Sequence, residues 1–146
     1  MAGGPDSGEA DVRARIDALA EAIRAHDLET AMSVYARDIV SFDFEPPLRH
    51  VGADAKRRNW VAVFEAYERP LGYRVHDLTI AVGDDVAFAH SLNRISGTLK
   101  NGGTTDMWVR ATTGLRKIDG DWLITHDQVS VPIDIETGTA LRDLTP

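Results

Sequence analysis

The sequence GTTDMWVRATTGLRKIDGDWLITHDQVSVP, residues 103–132, decides the fold. It predicts a long β-hairpin with strands Thr104–Lys117 and Asp121–Val131. The segment Ile118-Asp119-Gly120 between them predicts a tight turn, because Asp-Gly supplies the backbone conformation that hairpins favour. We therefore expect the hairpin to be the centre of a larger antiparallel sheet.

The two faces of this hairpin differ in chemistry, because strand side chains alternate between faces. A three-residue loop pairs Lys117 with Asp121 and places Thr112 opposite His126. One face carries functional groups and is predicted to line a pocket: Asp106, Trp108, Arg110, Thr112, His126, Gln128 and Ser130. The other face is apolar and is predicted to be the convex outer face: Met107, Val109, Ala111, Leu115, Leu123, Val129 and Val131.

Length and charge limit the class of protein. A chain of 146 residues can bury one core, and a net charge of −7 argues against nucleic acid or an anionic membrane as a partner. No apolar run approaches the ~20 residues that span a bilayer, and no signal peptide is evident. The absence of cysteine excludes disulfides and fits the cytoplasm. Because the five histidines lack a metal-ligand spacing, we expect no metal, and no cofactor motif is present.

The chain divides into a short tail and one domain. Residues 1–8 are small and polar and predict a disordered tail, so the domain is expected over 9–146. Within the domain, periodicity and capping predict the following elements: a helix capped by Asp6 and ending near His26, a helix capped by Asp27 and ending near Tyr35, a strand Ile39–Phe44, a helix Gly52–Tyr67, strands Tyr73–Val82 and Val86–Leu99, and then the hairpin. The first and third helices each carry an apolar stripe at helical spacing, formed by Val12, Ile16, Leu19, Ala20 and Ile23 in the first and by Trp60, Val63, Phe64 and Tyr67 in the third.

This order of elements predicts the fold class. Helices followed by a run of strands are typical of an α+β domain. We expect three N-terminal helices packed on a strongly curved, mostly antiparallel sheet that encloses a pocket. His90 and Asn93 lie on opposite faces of one strand, so only one of them is expected to line that pocket.

Four motifs connect the chain to a known family. They are Tyr35-Ala36-x-Asp38 leading into Ser41-Phe42-Asp43, then Gly83-Asp84-Asp85-Val86-Ala87-Phe88, then Trp108-x-Arg110-x-Thr112, and finally Asp119-Gly120-x-Trp122-x-Ile124-x-His126-x-x-x-Ser130-x-Pro132. With these motifs the chain resembles the SnoaL-like branch of the nuclear transport factor 2-like (NTF2-like) superfamily, which also holds ketosteroid isomerases. The resemblance extends from Val12 to Pro146 and implies a cone-shaped domain with an internal pocket.

The resemblance also implies candidate site residues. Asp43 stands where ketosteroid isomerases have their general base. The oxyanion-binding tyrosine of those enzymes aligns near Leu19, and their oxyanion-binding aspartate aligns close to Trp108 or Arg110. The chain therefore lacks both groups, which argues against steroid isomerisation. The Asp-Arg-Asp relay of limonene-type epoxide hydrolases is not reproduced, although Arg110 and Asp106 share a face.

Each candidate has a structural alternative. Asp43 is the predicted base because apolar neighbours would raise its pKa, but it could instead cap the loop at Pro46. His126 could relay a proton, or it could only hydrogen-bond Thr112 across the hairpin. Arg110 could stabilise an oxyanion, or it could be a fixed ion-pair partner of Asp43 or Asp106. The sequence leaves these alternatives open, and Trp60 joins the hairpin residues as predicted pocket wall.

Two functions follow from this reading. The first is cofactor-independent acid–base catalysis of the isomerase, cyclase or dehydratase type on a small apolar molecule, in secondary metabolism. Asp43 would then take a proton, Arg110 would stabilise the oxyanion and His126 would return the proton. The alternative is a binding or interaction module without catalysis. The apolar hairpin face, expected on the outside, further predicts a homodimer.

Overall fold

The computed structural model describes residues 5–146, with side chains from residue 8 onward. Its elements are α1 Pro5–Ala25, α2 Leu28–Ser33, β1 Tyr35–Phe42, β2 His50–Val51, α3 Ala53–Ala66, β3 Gly72–Val82, β4 Val86–Thr98, β5 Thr104–Ile118 and β6 Asp121–Ser130. The three helices pack on one curved sheet that does not close on itself. The predicted α+β cone is confirmed.

The sheet has six strands in the order β2-β1-β6-β5-β4-β3. Strands β3 to β6 form the predicted antiparallel meander, while β1 adds to the edge of β6 in parallel. Asp27 caps α2 as predicted, since its carboxylate accepts from the Thr30 amide at 3.2 Å. The parallel β1–β6 pair brings the chain after β1 beside the chain after β6.

One cluster of buried side chains forms the core between the helices and the sheet. Its buried members come from α1, the β1 strand with the residue before it, β4, β5 and β6: Val12, Val34, Tyr35, Ile39, Ala87, Leu115, Trp122 and Ile124. Val12 belongs to the predicted apolar stripe of α1 and is fully buried.

The register predicted for the hairpin is wrong by two residues. The turn contains two residues, Asp119 and Gly120, both with positive φ, so Ile118 pairs with Asp121. A second offset arises at a β-bulge next to Gly114. Thr112 therefore lies opposite Gln128, and not opposite His126.

The assignment of the two hairpin faces is also wrong. The apolar face, with Met107, Val109, Ala111 and Val129, lines the inside of the cone. Most of the polar face, including Arg110, is on the outside, and of this face only Thr112 also lines the cavity. The physical reason is burial: α1 and α3 cover the concave side, and apolar side chains gain most from that cover.

Smaller differences concern the ends of elements. Of the predicted tail, residues 1–4 lie outside the described residues, and residues 5–8 form the first turn of α1. The helix thus begins before Asp6, which is not its cap. Strand β1 starts at Tyr35 and not at Ile39, and the short strand β2 was not predicted. No helix within residues 5–146 is both long and apolar enough to cross a membrane.

Candidate functional site

A cavity of about 340 Å³ lies between the helices and the concave face of the sheet. This volume is in the range of small-molecule sites. Apolar side chains supply most of its wall: Ile16, Leu19, Val63, Leu71, Val75, Leu78, Ala89, Ile95, Met107, Val109, Ala111, Ile124 and Val129. An organic molecule with a largely apolar skeleton fits such a wall.

One end of the cavity holds a cluster of five polar side chains. We call it the Lys56 cluster, and its members are Ser41, Asp43, Lys56, Asn59 and Asp127. The Lys56 Nζ lies 2.9 Å from Asp127 Oδ2, 3.1 Å from Asp43 Oδ1 and 3.0 Å from Ser41 Oγ. Ser41 Oγ also contacts Asp127 Oδ1 and lies 3.0 Å from Asp43 Oδ1. Asn59 donates to Asp43 Oδ2 at 2.7 Å.

Three elements assemble this cluster. Ser41 ends the inward face of β1, and Asp43 follows two residues later on the same side. Asp127 on β6 is the parallel partner of Ser41. Lys56 and Asn59 are one turn apart on α3, so both side chains reach the same carboxylate, Asp43.

The cluster carries two carboxylates and one ammonium. Lys56 has three N–H donors, and its three contacts use all of them. Burial would lower the pKa of Lys56, but the charges of Asp127 and Asp43 raise it above its usual value. Burial would raise the pKa of Asp43, yet the charge and hydrogen bond of Lys56, with Ser41 and Asn59, hold it below its usual value. Asp43 is therefore ionised at neutral pH.

Asp43 is the most exposed of the three charged members of the cluster, and it lines the cavity. Its side chain is 18% exposed, compared with 12% for Asp127 and 5% for Lys56. A carboxylate has about four lone-pair sites. Asp43 accepts from Lys56 and Asn59, while the single hydroxyl hydrogen of Ser41 goes to the nearer Asp127, so at least one site of Asp43 is left for a ligand. This free position can accept a proton or a hydrogen bond from a molecule in the cavity.

Two tyrosines, the buried Tyr35 and the half-buried Tyr73, form a second polar region of the cavity wall. Trp60 Nε1 donates to the Tyr35 hydroxyl at 3.0 Å. Asn93 Nδ2 donates to the Tyr73 hydroxyl at 2.9 Å. Burial raises the pKa of both tyrosines, that of Tyr35 well above its usual value. Both hydroxyls therefore keep their protons at neutral pH.

The structure places only some of the predicted site residues at the cavity. Asp43, Trp60 and Thr112 line it. Asn93 lines it as well and is 3% exposed, whereas His90 is exposed on the opposite face of β4. One of this pair was predicted to face the pocket, and the structure identifies it as Asn93.

Six predicted residues belong to the outward face and do not line the cavity. They are Asp106, Trp108, Arg110, His126, Gln128 and Ser130. Arg110 Nε donates to Ser130 Oγ at 3.2 Å, and Asp106 accepts two hydrogen bonds from Arg94. Neither contact brings Arg110 or Asp106 to Asp43.

His126 and Trp108 make their own contacts on that outer face. His126 Nδ1 lies 2.6 Å from the Val40 carbonyl, and its ring packs edge-on against Phe42 at 4.7 Å. Trp108 packs against His76, with ring centroids 4.8 Å apart. The contact expected between His126 and Thr112 is absent from the hydrogen bonds of residues 5–146, since the register differs.

Two residues of the Lys56 cluster, Lys56 and Asp127, were not predicted from the sequence, although the hydrophobic pattern contained a signal for both. Lys56 lies four residues before Trp60, on the predicted apolar stripe of α3. Asp127 has the same parity as Val129 and Val131, on the predicted apolar face of the hairpin. A charge at a position that the pattern assigns to burial needs a partner, so these two could have been paired. Within residues 5–146, no three His, Asp or Glu side chains group as metal ligands.

Comparisons with known proteins place this geometry in context. The family model for the SnoaL-like domain matches residues 12–134. The structure of an NTF2-like protein of unknown function from Pseudomonas putida KT2440 is similar with a TM-score of 0.87 and 32% identity, over 97% of this chain and 98% of that chain. No curated protein matches the sequence.

Two further solved structures share the fold at lower identity. A ketosteroid isomerase-like protein from Erwinia carotovora atroseptica SCRI1043 has a TM-score of 0.71 and 24% identity, over 83% of this chain and 93% of that chain. A candidate dehydratase of the NTF2-like family from Streptomyces avermitilis has a TM-score of 0.78 and 18% identity, over 89% of this chain and 100% of that chain. At these identities the likeness concerns the fold alone.

Proposed function

The chain belongs to the SnoaL-like family, and on this premise we propose that its cavity catalyses proton transfer on a small, largely apolar organic molecule. The reaction is an isomerisation, cyclisation or dehydration that needs no cofactor. The observation that carries the proposal is Asp43, an ionised carboxylate with one free lone-pair site at the wall of an apolar cavity. Asp43 is the general base.

The Lys56 cluster supports this role of Asp43. The ammonium of Lys56 is shared between two carboxylates, so it keeps Asp127 as a counterion when Asp43 takes up a proton. Lys56 and Asn59 fix the orientation of the Asp43 carboxylate, since each donates to a different oxygen of it. The raised pKa that the sequence predicted for Asp43 is wrong, because the charge and hydrogen bond of Lys56 outweigh the effect of burial. A base of lower pKa is a weaker base, so its substrate must be a carbon acid that a neighbouring carbonyl activates. Arg110 has no part in this arrangement, because it lies on the outer face.

Deuterium exchange tests the proposal without knowledge of the natural substrate. The probe is 1-tetralone, a bicyclic ketone with acidic hydrogens beside its carbonyl, incubated with the protein in D2O and followed by proton NMR. We expect exchange above the buffer rate, and Asp43→Asn should slow it by on the order of a hundredfold. Arg57→Gln is the matched control, since Arg57 on the same helix pairs with Glu29 at the surface.

The outcome separates catalysis from binding. Near-native exchange in Asp43→Asn, with Arg57→Gln also unaffected, would refute Asp43 as the base. A second candidate function is ligand binding without catalysis, favoured by one observation: every N–H of Lys56 is already used within the protein. Binding of the ketone with no exchange above buffer would support that second function.

We also propose that the chain forms a homodimer through the outer face of its sheet. The apolar outer face that the sequence predicted cannot be the basis of this dimer, because four of its side chains line the cavity and Leu115 lies in the core. The outer face nevertheless exposes aromatic side chains: Phe88 is 54% and Phe42 is 42% exposed. Their exposure on a sheet face is the support for a self-complementary contact.

A further inference from the structure

A second depression, of about 310 Å³, lies against a different face of α3 from the cavity. We call it the His26 groove. Along α3, Val63 lines the cavity, whereas Val61 and Phe64 line the groove. Tyr67 is the one residue that lines both. The groove is therefore a separate space, and its volume is in the range of small-molecule sites.

The groove lies where the C-terminal ends of α1 and α3 meet two connecting segments. The Leu71 amide donates to the Arg24 carbonyl in the last turn of α1 at 3.2 Å. The Lys100 amide donates to the Ala66 carbonyl at the end of α3 at 2.9 Å. These hydrogen bonds hold the chain after α3 and the turn between β4 and β5 against the two helix ends, so the walls of the groove are preformed.

His26 is a buried wall residue of this groove with an unpartnered polar atom. Its side chain follows α1 directly and stacks on Phe64 of α3, with ring centroids 4.7 Å apart and the planes 13° from parallel. His26 is 9% exposed, and its Nε2 is buried without a hydrogen-bond partner in the described part of the chain. A buried polar atom of this kind is costly unless a ligand or a solvent molecule pairs with it.

The charged residues of the groove are mainly cations. Arg69 and Lys100 line it, and neither forms an ion pair with a carboxylate of residues 8–146. Glu65 is the single carboxylate of the lining. The chain as a whole has a net charge of −7, so an excess of positive charge at one place is unusual for it. Burial first, and then the charges of Arg69 and Lys100, lower the pKa of His26, so its imidazole is neutral at pH 7.

We propose that the His26 groove binds a small organic carboxylate. The apolar body of the ligand would lie on the apolar part of the wall, formed by Leu28, Val61 and Phe64. Its carboxylate would lie toward Arg69 and Lys100 and supply the partner that the His26 imidazole lacks. Charge-assisted hydrogen bonds of this kind are stronger than neutral ones. This site goes beyond the proposed catalysis and does not depend on it.

Ligand binding at this site should be coupled to a proton on His26. Asp27, next to it in the chain, is engaged as the cap of α2. The charged groups that face the imidazole in the groove are therefore Arg69, Lys100 and Glu65. A bound carboxylate offsets the two cations and raises the pKa of His26. Binding then takes up a proton and becomes tighter as pH falls from about 8 to about 6.

Benzoate and benzamide test the site as a matched pair, since benzamide has the same ring and shape but no charge. The readout is the proton NMR signal of the His26 ring, which His26→Asn identifies by its loss. We expect benzoate to shift this signal with a dissociation constant on the order of millimolar, and to bind on the order of tenfold more tightly than benzamide. Arg69→Gln and Lys100→Gln should each weaken benzoate binding about threefold and leave benzamide binding unchanged.

The control is Arg57→Gln, which removes an exposed cation of α3 that pairs with Glu29 and should leave both ligands unaffected. Weaker benzoate binding in either groove variant supports the site. A His26 signal that benzoate does not move, an equal affinity for the two ligands, or an unchanged benzoate affinity in both groove variants would overturn it.

The helix ends give the two cations a second, purely structural role to test. Arg69 and Lys100 lie near the C-terminal ends of α1 and α3, where positive charge is stabilising. A lower Tm of both variants with unchanged benzoate binding would assign the cations to the helix ends and exclude the site. If a variant does not fold, the titration of His26 in the wild type decides. Benzoate should raise its midpoint, and an unmoved midpoint would contradict the proposal.

The two sites can be tested separately. 1-Tetralone is the probe of the cavity, so it should not displace benzoate, and Lys100→Gln should keep the wild-type rate of deuterium exchange. Competition between tetralone and benzoate would place benzoate in the cavity and overturn the groove site. Absence of deuterium exchange in the wild type would refute the proposed catalysis and leave the groove site standing.

Discussion

Replacement of Lys56 by methionine should lower the free energy of unfolding more than any surface substitution on the same helix. The side chain of Lys56 is 5% exposed and lies between Asp43 and Asp127, so the variant buries two carboxylates without a counterion. Removal of one partner from a buried ion pair costs about 3–5 kcal/mol. For a chain of this size such a loss lowers the Tm by on the order of 10 °C.

The loss should depend on pH with a definite sign. In the wild type the pKa of Asp43 is lowered, so its contribution to stability is present above its unfolded pKa and is lost as pH falls through its folded pKa. In Lys56→Met two adjacent carboxylates lack a cation, and folding then takes up a proton. The variant therefore gains stability as pH falls, and its deficit against the wild type is larger at pH 7 than at pH 5.

Urea unfolding followed by circular dichroism at both pH values measures the free energy of unfolding. Arg57→Met is the control on the neighbouring position, because its pair with Glu29 is 43% and 78% exposed and is worth about 0–1 kcal/mol. The double variant Lys56→Met/Asp127→Leu should recover part of the lost stability, since it removes one of the two buried carboxylates that have no counterion. A deficit below about 1 kcal/mol at pH 7, or an equal deficit at both pH values, would refute the reasoning.

Three other predictions concern separate parts of the molecule. Arg110→Ala and His126→Ala should each keep the deuterium exchange rate within about twofold of the wild-type rate, because neither residue lines the cavity. If NMR instead gives a rate as low as that of Asp43→Asn, the catalytic roles that the sequence suggested for these two residues would be supported. Phe88→Glu should convert a dimer of the wild type into a monomer in sedimentation at micromolar concentration, and a wild type that is already monomeric would contradict the proposed dimer. The pKa of His26 is lowered, first by burial and then by the charges of Arg69 and Lys100. The contribution of His26 to stability is therefore lost as pH falls below its ordinary pKa of 6.5. His26→Asn should flatten the dependence of the free energy of unfolding on pH between 7 and 5. Asparagine is chosen because it tolerates the φ of +55° at this position, and an unchanged slope would exclude His26 as the source.

The order of elements could be predicted from the sequence because it rests on local signals. The apolar stripe of α1, the Asp27 cap of α2 and the Asp-Gly turn of the hairpin each act within a few residues. Local signals predicted a strand through Asp43, but it was the resemblance to ketosteroid isomerases that assigned this residue to the pocket, which it lines. The alternation of side chains along the hairpin strands also predicted one polar face and one apolar face.

Which of those two sets faces the cavity was decided by the tertiary structure. Alternation assigns residues to faces, but it does not say which face the helices cover, and the apolar face took the concave side because burial there removes more apolar surface from water. The register of the β5–β6 pair likewise depends on a β-bulge beside Gly114, which cannot be predicted from the residues of the turn. The Lys56 cluster joins α3, β1 and β6, and the charges of Lys56 and Asp127 could be buried only where folding brought them together.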